Sequence, residues 1–203
     1  MKVVRVGLLA AAAFYLPYLG LWGWCITGMG GWSPVGSEFI LMAALCLGLA
    51  AVLVGLAVLI PRRSRATGRI LCVSGCFVLG FLVPSMAVAA QLRALGFRLA
   101  ARRATPLVAA IHAYERATGG PPAQLSVLVP GYLPELPTHI PPVELIAGGE
   151  AARYGGNRWV LVAQVGFGIL NWDEFLYFPN QQYPSEGFGG HLERMGDWAY
   201  VHE

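Results

Sequence analysis

Charge is scarce in this chain and unevenly placed. Only 12% of its 203 residues are Asp, Glu, Lys or Arg, against 56% hydrophobic residues, too little charge for an ordinary soluble domain. Acids are nearly missing from the first half: residues 1–103 hold ten Lys and Arg and one acid, Glu38, a net +9. Residues 104–203 hold four Arg and ten acids, a net −6. The basic charge flanks apolar segments, and an acidic half is unsuited to a phosphate backbone, which argues against a nucleic-acid partner. Cysteine is absent after Cys76, so the second half holds itself by packing, without a disulfide. Cys25, Cys46, Cys72 and Cys76 fall in or at the ends of apolar stretches. Cys72 and Cys76 stand one helical turn apart, but with no His or acid beside them they read as buried apolar thiols, not a metal or redox pair.

Motifs that carry chemistry are also thin. His112, His139, His191 and His202 lack metal-ligand spacing. There is no Gly-x-Ser-x-Gly, and Gly187-Phe188-Gly189-Gly190 neither follows a clear strand nor opens a helix, as a phosphate-binding loop would. Asp173 and Glu174 are adjacent, so on a strand they point to opposite faces and cannot act as a carboxylate pair. No cofactor and no metal is expected, and a non-catalytic protein is preferred. The alternative is a membrane-anchored envelope hydrolase using His191, Asp197 or His202.

What the chain does contain is three apolar stretches, Val6–Ile26, Glu38–Ile60 and Ile70–Ala90. Each is about 20 residues, enough to cross the ~30 Å hydrocarbon core as a helix. Lys2 and Arg5 before the first stretch resemble a signal peptide, but no small-x-small cleavage site follows and Trp22 and Trp24 occupy its far end. An uncleaved first helix is expected. Arg62, Arg63, Arg65 and Arg69 fill the loop between the second and third stretches, whereas Gly28–Ser37 has no basic residue and adds Trp32 to an aromatic belt. An N-terminus inside the cell puts six basic residues in the cytoplasm and four (Arg93, Arg98, Arg102, Arg103) outside, so the C-terminal half is expected to be exported. Pro17 and Pro84 are expected to kink their helices. Small residues at Ala44-x-x-x-Gly48, Ala51-x-x-x-Gly55 and Cys76-x-x-x-Gly80 allow close helix approach. Packing within a three-helix bundle is the preferred reading, with self-association of membrane helices the other. Glu38, beside Ser37, caps a helix start in preference to moving ions.

Past the third stretch, Leu92, Leu95 and Leu99 share a face while Arg93, Arg98, Arg102 and Arg103 can snorkel toward lipid phosphates. This reads as a juxtamembrane stalk. The organising stretch follows, Thr105–Pro137. Thr105 suits an N-cap and Pro106 a first helical position. Leu107, Ala110, Ile111 and Tyr114 then make one apolar stripe, and Gly119-Gly120 stops the helix. Pro122 opens a short turn in which Leu125 and Leu128 share a face, ended by Pro130. Arg158–Val165 alternates as a strand, with Trp159, Leu161, Ala163 and Val165 on one face. Gly155-Gly156-Asn157 is a turn pairing it with a strand near Ala151–Tyr154. Glu174–Phe178 and Trp198–His202 are the other strands, and the aromatic sheet face is expected to pack on the Leu107/Ile111/Tyr114 stripe.

Thr105–Pro137 resembles the end of the long first helix and the following loop of type IV pilin-like and type II secretion pseudopilin proteins. The residues that carry this are Ala110-Ile111-His112-Ala113-Tyr114, Gly119-Gly120, Pro121-Pro122, Leu125, Leu128, Tyr132-Leu133 and Pro137. Pro121 stands where the family has an aromatic, no Asp-Pro-Trp-Gly-like turn follows, and no Phe-Thr-Leu-Ile-Glu-like segment is present. The resemblance implies a pilin-like head on a membrane anchor, not a polymerising pilin.

The expected fold is therefore a membrane protein: a three-helix transmembrane anchor (1–96), a juxtamembrane stalk (97–104) and a small exported α+β pilin-like domain (105–203), one helix on an antiparallel sheet. The expected partners are the lipid bilayer and an envelope protein, in a secretion or surface-assembly system at a bacterial inner membrane. Between Phe178 and Trp198 lie about 19 residues without periodicity, and loops that long are usually functional or disordered. Tyr183 and Phe188, flanked by Gln181, Gln182 and Glu186, are the candidate partner-binding residues, aromatic anchors with a polar rim. The competing reading has both rings fold back and close the end of the sheet.

Overall fold

A computed structural model describes residues 2–28, 36–166, 173–184 and 190–202, and of residues 186–187 the backbone alone. Trp32 of the expected aromatic belt lies outside the described residues. The chain divides into two compact units, one formed by residues 1–24 and 34–93, the other by residues 25–33 and 94–203.

The first unit is built from α1 (Lys2–Ile26), α2 (Ser37–Leu59), α3 (Arg65–Gly80) and the opening turns of α4 (Leu82–Thr118). Among the described residues, the spans Lys2–Ile26, Ser37–Leu59 and Arg62–Thr118 are long and apolar enough to cross a membrane. Leu9, Leu16, Phe39, Met42, Leu53 and Ile60 are exposed. In water such a surface would be a liability; against lipid tails it costs nothing.

The small residues are spent on packing inside the unit. Ala44, Gly48 and Gly55 of α2 are buried, and a Cβ on Gly75 of α3 would come within 2.6 Å of the Gly48 carbonyl oxygen. A Cβ on Gly55 would meet Cys72 Sγ at 2.7 Å. α2 and α3 therefore touch backbone to backbone. α1 joins through Tyr15, whose hydroxyl donates to the Val78 carbonyl at 2.6 Å, and through Gly7, which Phe77 covers. Gly80, by contrast, has nothing near its Cβ position.

The third apolar stretch is divided at Phe81, with α3 ending before it and α4 starting after it. Pro84 explains the position: it has no N–H for the Gly80 carbonyl, so the ladder loses one rung. The neighbouring rungs survive, Phe81 N–H to Phe77 O at 3.1 Å and Ser85 N–H to Phe81 O at 3.0 Å.

α4 corrects two expectations. No helix begins at Thr105, because α4 runs unbroken to Thr118 with Pro106 inside it. The Thr105 hydroxyl donates back to the Ala101 carbonyl at 3.3 Å and caps nothing. Nor are residues 97–104 a stalk. Phe97, Ala100 and Ala104 are fully buried in the core of the second unit together with Leu107, Ala110 and Ile111. The apolar stripe starts two turns earlier than Thr105, where Arg98, Arg102 and Arg103 mask it in the sequence.

The sheet beneath that stripe comprises β1 (Glu144–Ala147), β2 (Trp159–Gln164), β3 (Glu174–Tyr177), β4 (Glu186–Gly187), β5 (Gly190–Met195) and β6 (Trp198–His202), in the order β1-β2-β3-β6-β5-β4. Every pairing is antiparallel. The partner of β2 is not Ala151–Tyr154. That segment holds the helical turn α5 (Gly149–Ala152), and β1 pairs with β2 in the register Leu145↔Leu161. Gly155 and Gly156 turn the chain into β2 with φ of 67° and 75°, a conformation open to glycine. The segment before Trp198 is not without structure either, since β5 pairs with β6 through His191↔His202 and Met195↔Trp198.

The helix-facing side of the sheet is a run of rings. Phe97 stacks on Phe175 (centroids 4.8 Å apart), Phe175 on Trp198 (4.7 Å) and Trp159 on Tyr177 (5.8 Å). Leu128, in the short 3-10 turn Leu125–Leu128, is fully buried against the same core. Trp159 Nε1 donates to Glu115 at 3.2 Å, and Arg158 pairs with Glu115 at 2.9 Å while capping the α4 C-terminus at Gly119 O, 2.8 Å away. The opposite side carries a second cluster of Val160, Val162, Leu176, Phe178 and Val201, with Tyr154, Tyr183 and Leu192 packed on it. Two covered faces leave β2 buried along all but its last residue.

Candidate binding surface

Of the expected anchors, Tyr183 is turned inward. Its ring lies flat on Phe178, 4.5 Å between centroids and 6° between planes. Its hydroxyl accepts the Phe178 N–H at 2.8 Å and donates to the Asp197 carbonyl at 2.7 Å. Burial holds the phenol well above its ordinary pKa, outweighing the Phe178 hydrogen bond and Arg194, which act to lower it. Arg194 covers the outer face, 4.2 Å from the ring centroid, and donates to Gln181 Oε1 at 3.1 Å. Gln181 in turn donates to the Phe178 carbonyl at 2.7 Å. Asn180 ties the segment to Asn157 and Gly155, each at 3.0 Å. Tyr183 and Gln181 thus clasp the end of the sheet, while Asn180, Gln182 and Pro184 stand exposed. Phe188 and the Glu186 side chain lie outside the described residues.

The three candidate hydrolase residues do not converge. His191 and His202 face each other across β5 and β6, ring centroids 5.3 Å apart. Asp197 sits at the other end of that hairpin, in the two-residue turn between Met195 and Trp198. It lies five residues from His202 and six from His191, roughly 17–20 Å at ~3.4 Å per residue. Asp173, which is buried, accepts the Tyr200 hydroxyl, and Tyr200 stacks on His202 at 5.2 Å.

Sequence patterns did not reveal one groove of the second unit. It is a groove of about 430 Å³ with Arg98, Ala101, Arg102, Thr105 and Val108 of α4 on one wall. Met195–Trp198 and Tyr177 form the floor and the other wall. The spacing 98-101/102-105-108 is one flank of a helix, so a continuous α4 is what assembles that wall. Gly196, with φ 73°, opens the two-residue hairpin turn that places Asp197 on the opposite rim. The four basic residues after the apolar stretch separate by role here. Arg103 is structural, donating to Thr27 O at 3.3 Å and His139 O at 3.0 Å. Arg98 and Arg102 are exposed, and among the described residues no acid pairs with either. Like charges one turn apart oppose each other by about 0.2–0.5 kcal/mol on a helix, and among the described residues no ion pair offsets this. The sequence clue is the i,i+4 pair Arg98 and Arg102 in phase with Thr105, which the helix-start signals at Thr105 and Pro106 obscure.

Comparison with known protein families, with curated proteins and with solved structures finds no match.

Proposed function

We propose that this chain is a non-catalytic membrane protein of the bacterial cell envelope, with its N-terminus in the cytoplasm and an exported pilin-like domain that binds another envelope protein. The observation that carries the reading is α4. A single 37-residue helix includes apolar turns of the third candidate span and supplies, from Phe97 to Ile111, the ridge on which an antiparallel sheet packs. A long helix shared between anchor and sheet is the arrangement the pilin resemblance implies. Export is supported by the Arg62–Arg69 loop. The absence of convergence between Asp197 and the His191/His202 pair favours binding over hydrolysis.

The partner surface is the exposed rim over the Tyr183 clasp, centred on Gln182. A photo-crosslinking amino acid at Gln182 in the full-length protein, in cells, is expected to capture one discrete envelope protein. The same group at Glu144, on the far edge of the sheet, is expected to capture none. Identical crosslinking patterns from both positions overturn the assignment of this surface.

A further inference from the structure

We infer that the groove between α4 and the β5–β6 hairpin is a binding site for the phosphate of a membrane phospholipid. Three observations converge on it. The groove is bounded by two exposed guanidinium groups, Arg98 and Arg102, one helical turn apart, with no acidic partner among the described residues. A phosphodiester is the ligand that two such forks bind in concert, through charge-assisted and bidentate hydrogen bonds. The floor is apolar and aromatic, with Tyr177, Met195 and Trp198 all buried, and suits the glyceryl and first acyl carbons beside the phosphate. The third observation is linkage. Arg98 follows Ala90, the end of the third apolar stretch, by only eight residues in the chain.

That linkage selects the source of the phosphate. A site tethered so closely to a membrane span meets headgroups at an effective concentration that free anions in solution do not match. Arg103, the neighbouring basic residue, is committed to the Thr27 and His139 carbonyls, so the cationic character of the groove rests on Arg98 and Arg102. With Asp197 on the opposite rim, the charged lining sums to +1, which matches the single negative charge of one phosphodiester. The inference needs only that the chain spans a membrane, and is independent of the protein partner.

The test uses the full chain in detergent micelles, with native mass spectrometry counting bound lipid as phosphatidylglycerol or diacylglycerol is titrated. One phosphatidylglycerol is expected to bind at least ~10-fold more tightly than diacylglycerol, which lacks the phosphate. Arg98→Gln with Arg102→Gln is expected to remove that preference, while Arg62→Gln with Arg63→Gln, in the loop before α3, keeps it. Both arginines of the first pair are exposed, and an unchanged melting temperature confirms that the variant folds. Equal binding of the two lipids, or a preference that survives the double substitution, overturns the site. Displacement of phosphatidylglycerol by an equal concentration of glycerol phosphate overturns the lipid source. A poly-glutamate peptide that binds the wild type when phosphatidylglycerol does not overturns the phosphate itself, in favour of an acidic protein segment.

Discussion

The ring of Phe97 stacks on that of Tyr200, 4.5 Å between centroids and 30° between planes. This contact joins α4 to the middle of the last strand, and it sets where the domain begins. Fully buried and touching two aromatic rings, Phe97 is core rather than linker.

Phe97→Ala is accordingly expected to cost about 3–5 kcal/mol, the usual range for emptying a large aromatic site. The same reasoning sets the boundary of a stable fragment. A piece beginning at residue 94 keeps Phe97, Ala100 and Ala104, whereas one beginning at residue 104 loses the first two. Thermal melts of the two fragments should show cooperative unfolding only for the longer. Equal melting temperatures would place Phe97 outside the folding unit.

Ile111 is fully buried on the same ridge. Ile111→Asp puts an unpaired carboxylate into the core that Ile111 shares with Trp159 and Leu161 and is expected to cost upwards of about 4 kcal/mol. Since small domains hold only about 5–15 kcal/mol in total, this variant should lose its near-ultraviolet circular dichroism and its sharp melt. A wild-type melt would remove Ile111 from the core.

The sheet was legible where pattern and burial agree. Trp159, Leu161, Ala163 and Val165 alternate in sequence and share the helix-side core, and the Leu107–Ile111 stripe was visible for the same reason. Reading failed where a local rule competed with a tertiary one. Pro106 and Thr105 look like a helix start, yet a proline inside a helix is tolerated when both flanking turns are pinned by burial, here by Ala104 and Leu107. β5 has no alternation of apolar residues to find: its sequence is Gly190-His191-Leu192-Glu193-Arg194-Met195, and it is exposed over much of its length. Its pairing with β6 comes from the Gly196 turn, not from its own periodicity. The groove was illegible because it joins a helix flank to a hairpin about 95 residues later in the chain.

Orientation is tested by fusions after Glu203. Because the Arg62–Arg69 loop carries the clustered basic charge, a fluorescent protein that fails to fold after Sec export should stay dark there. A phosphatase that works only in the periplasm should be active. The reverse pair of results would place the second unit in the cytoplasm and remove the basis for an exported partner.

Tyr183 gives a prediction with a definite sign. Its hydroxyl accepts the Phe178 N–H and donates to the Asp197 carbonyl, so Tyr183→Phe removes both bonds and is expected to cost about 1–3 kcal/mol at neutral pH. Burial raises the phenol pKa in the folded state, so the folded chain keeps a proton that the unfolded chain gives up near pH ~10. Stability from this group is therefore complete below about pH 10 and drains away as pH climbs toward the folded value. The stability gap between wild type and Tyr183→Phe should be constant from pH 7 to 9 and shrink above 10. Tyr154 and Tyr177, also raised by burial, are present in both proteins and cancel in the difference. Denaturant melts of the two proteins at matched ionic strength, taken each half unit from pH 8 to 11.5, measure that gap. A gap that stays flat past pH 10.5 would mean that Tyr183 ionises as freely in the folded protein as in the unfolded one, and so does not close the sheet.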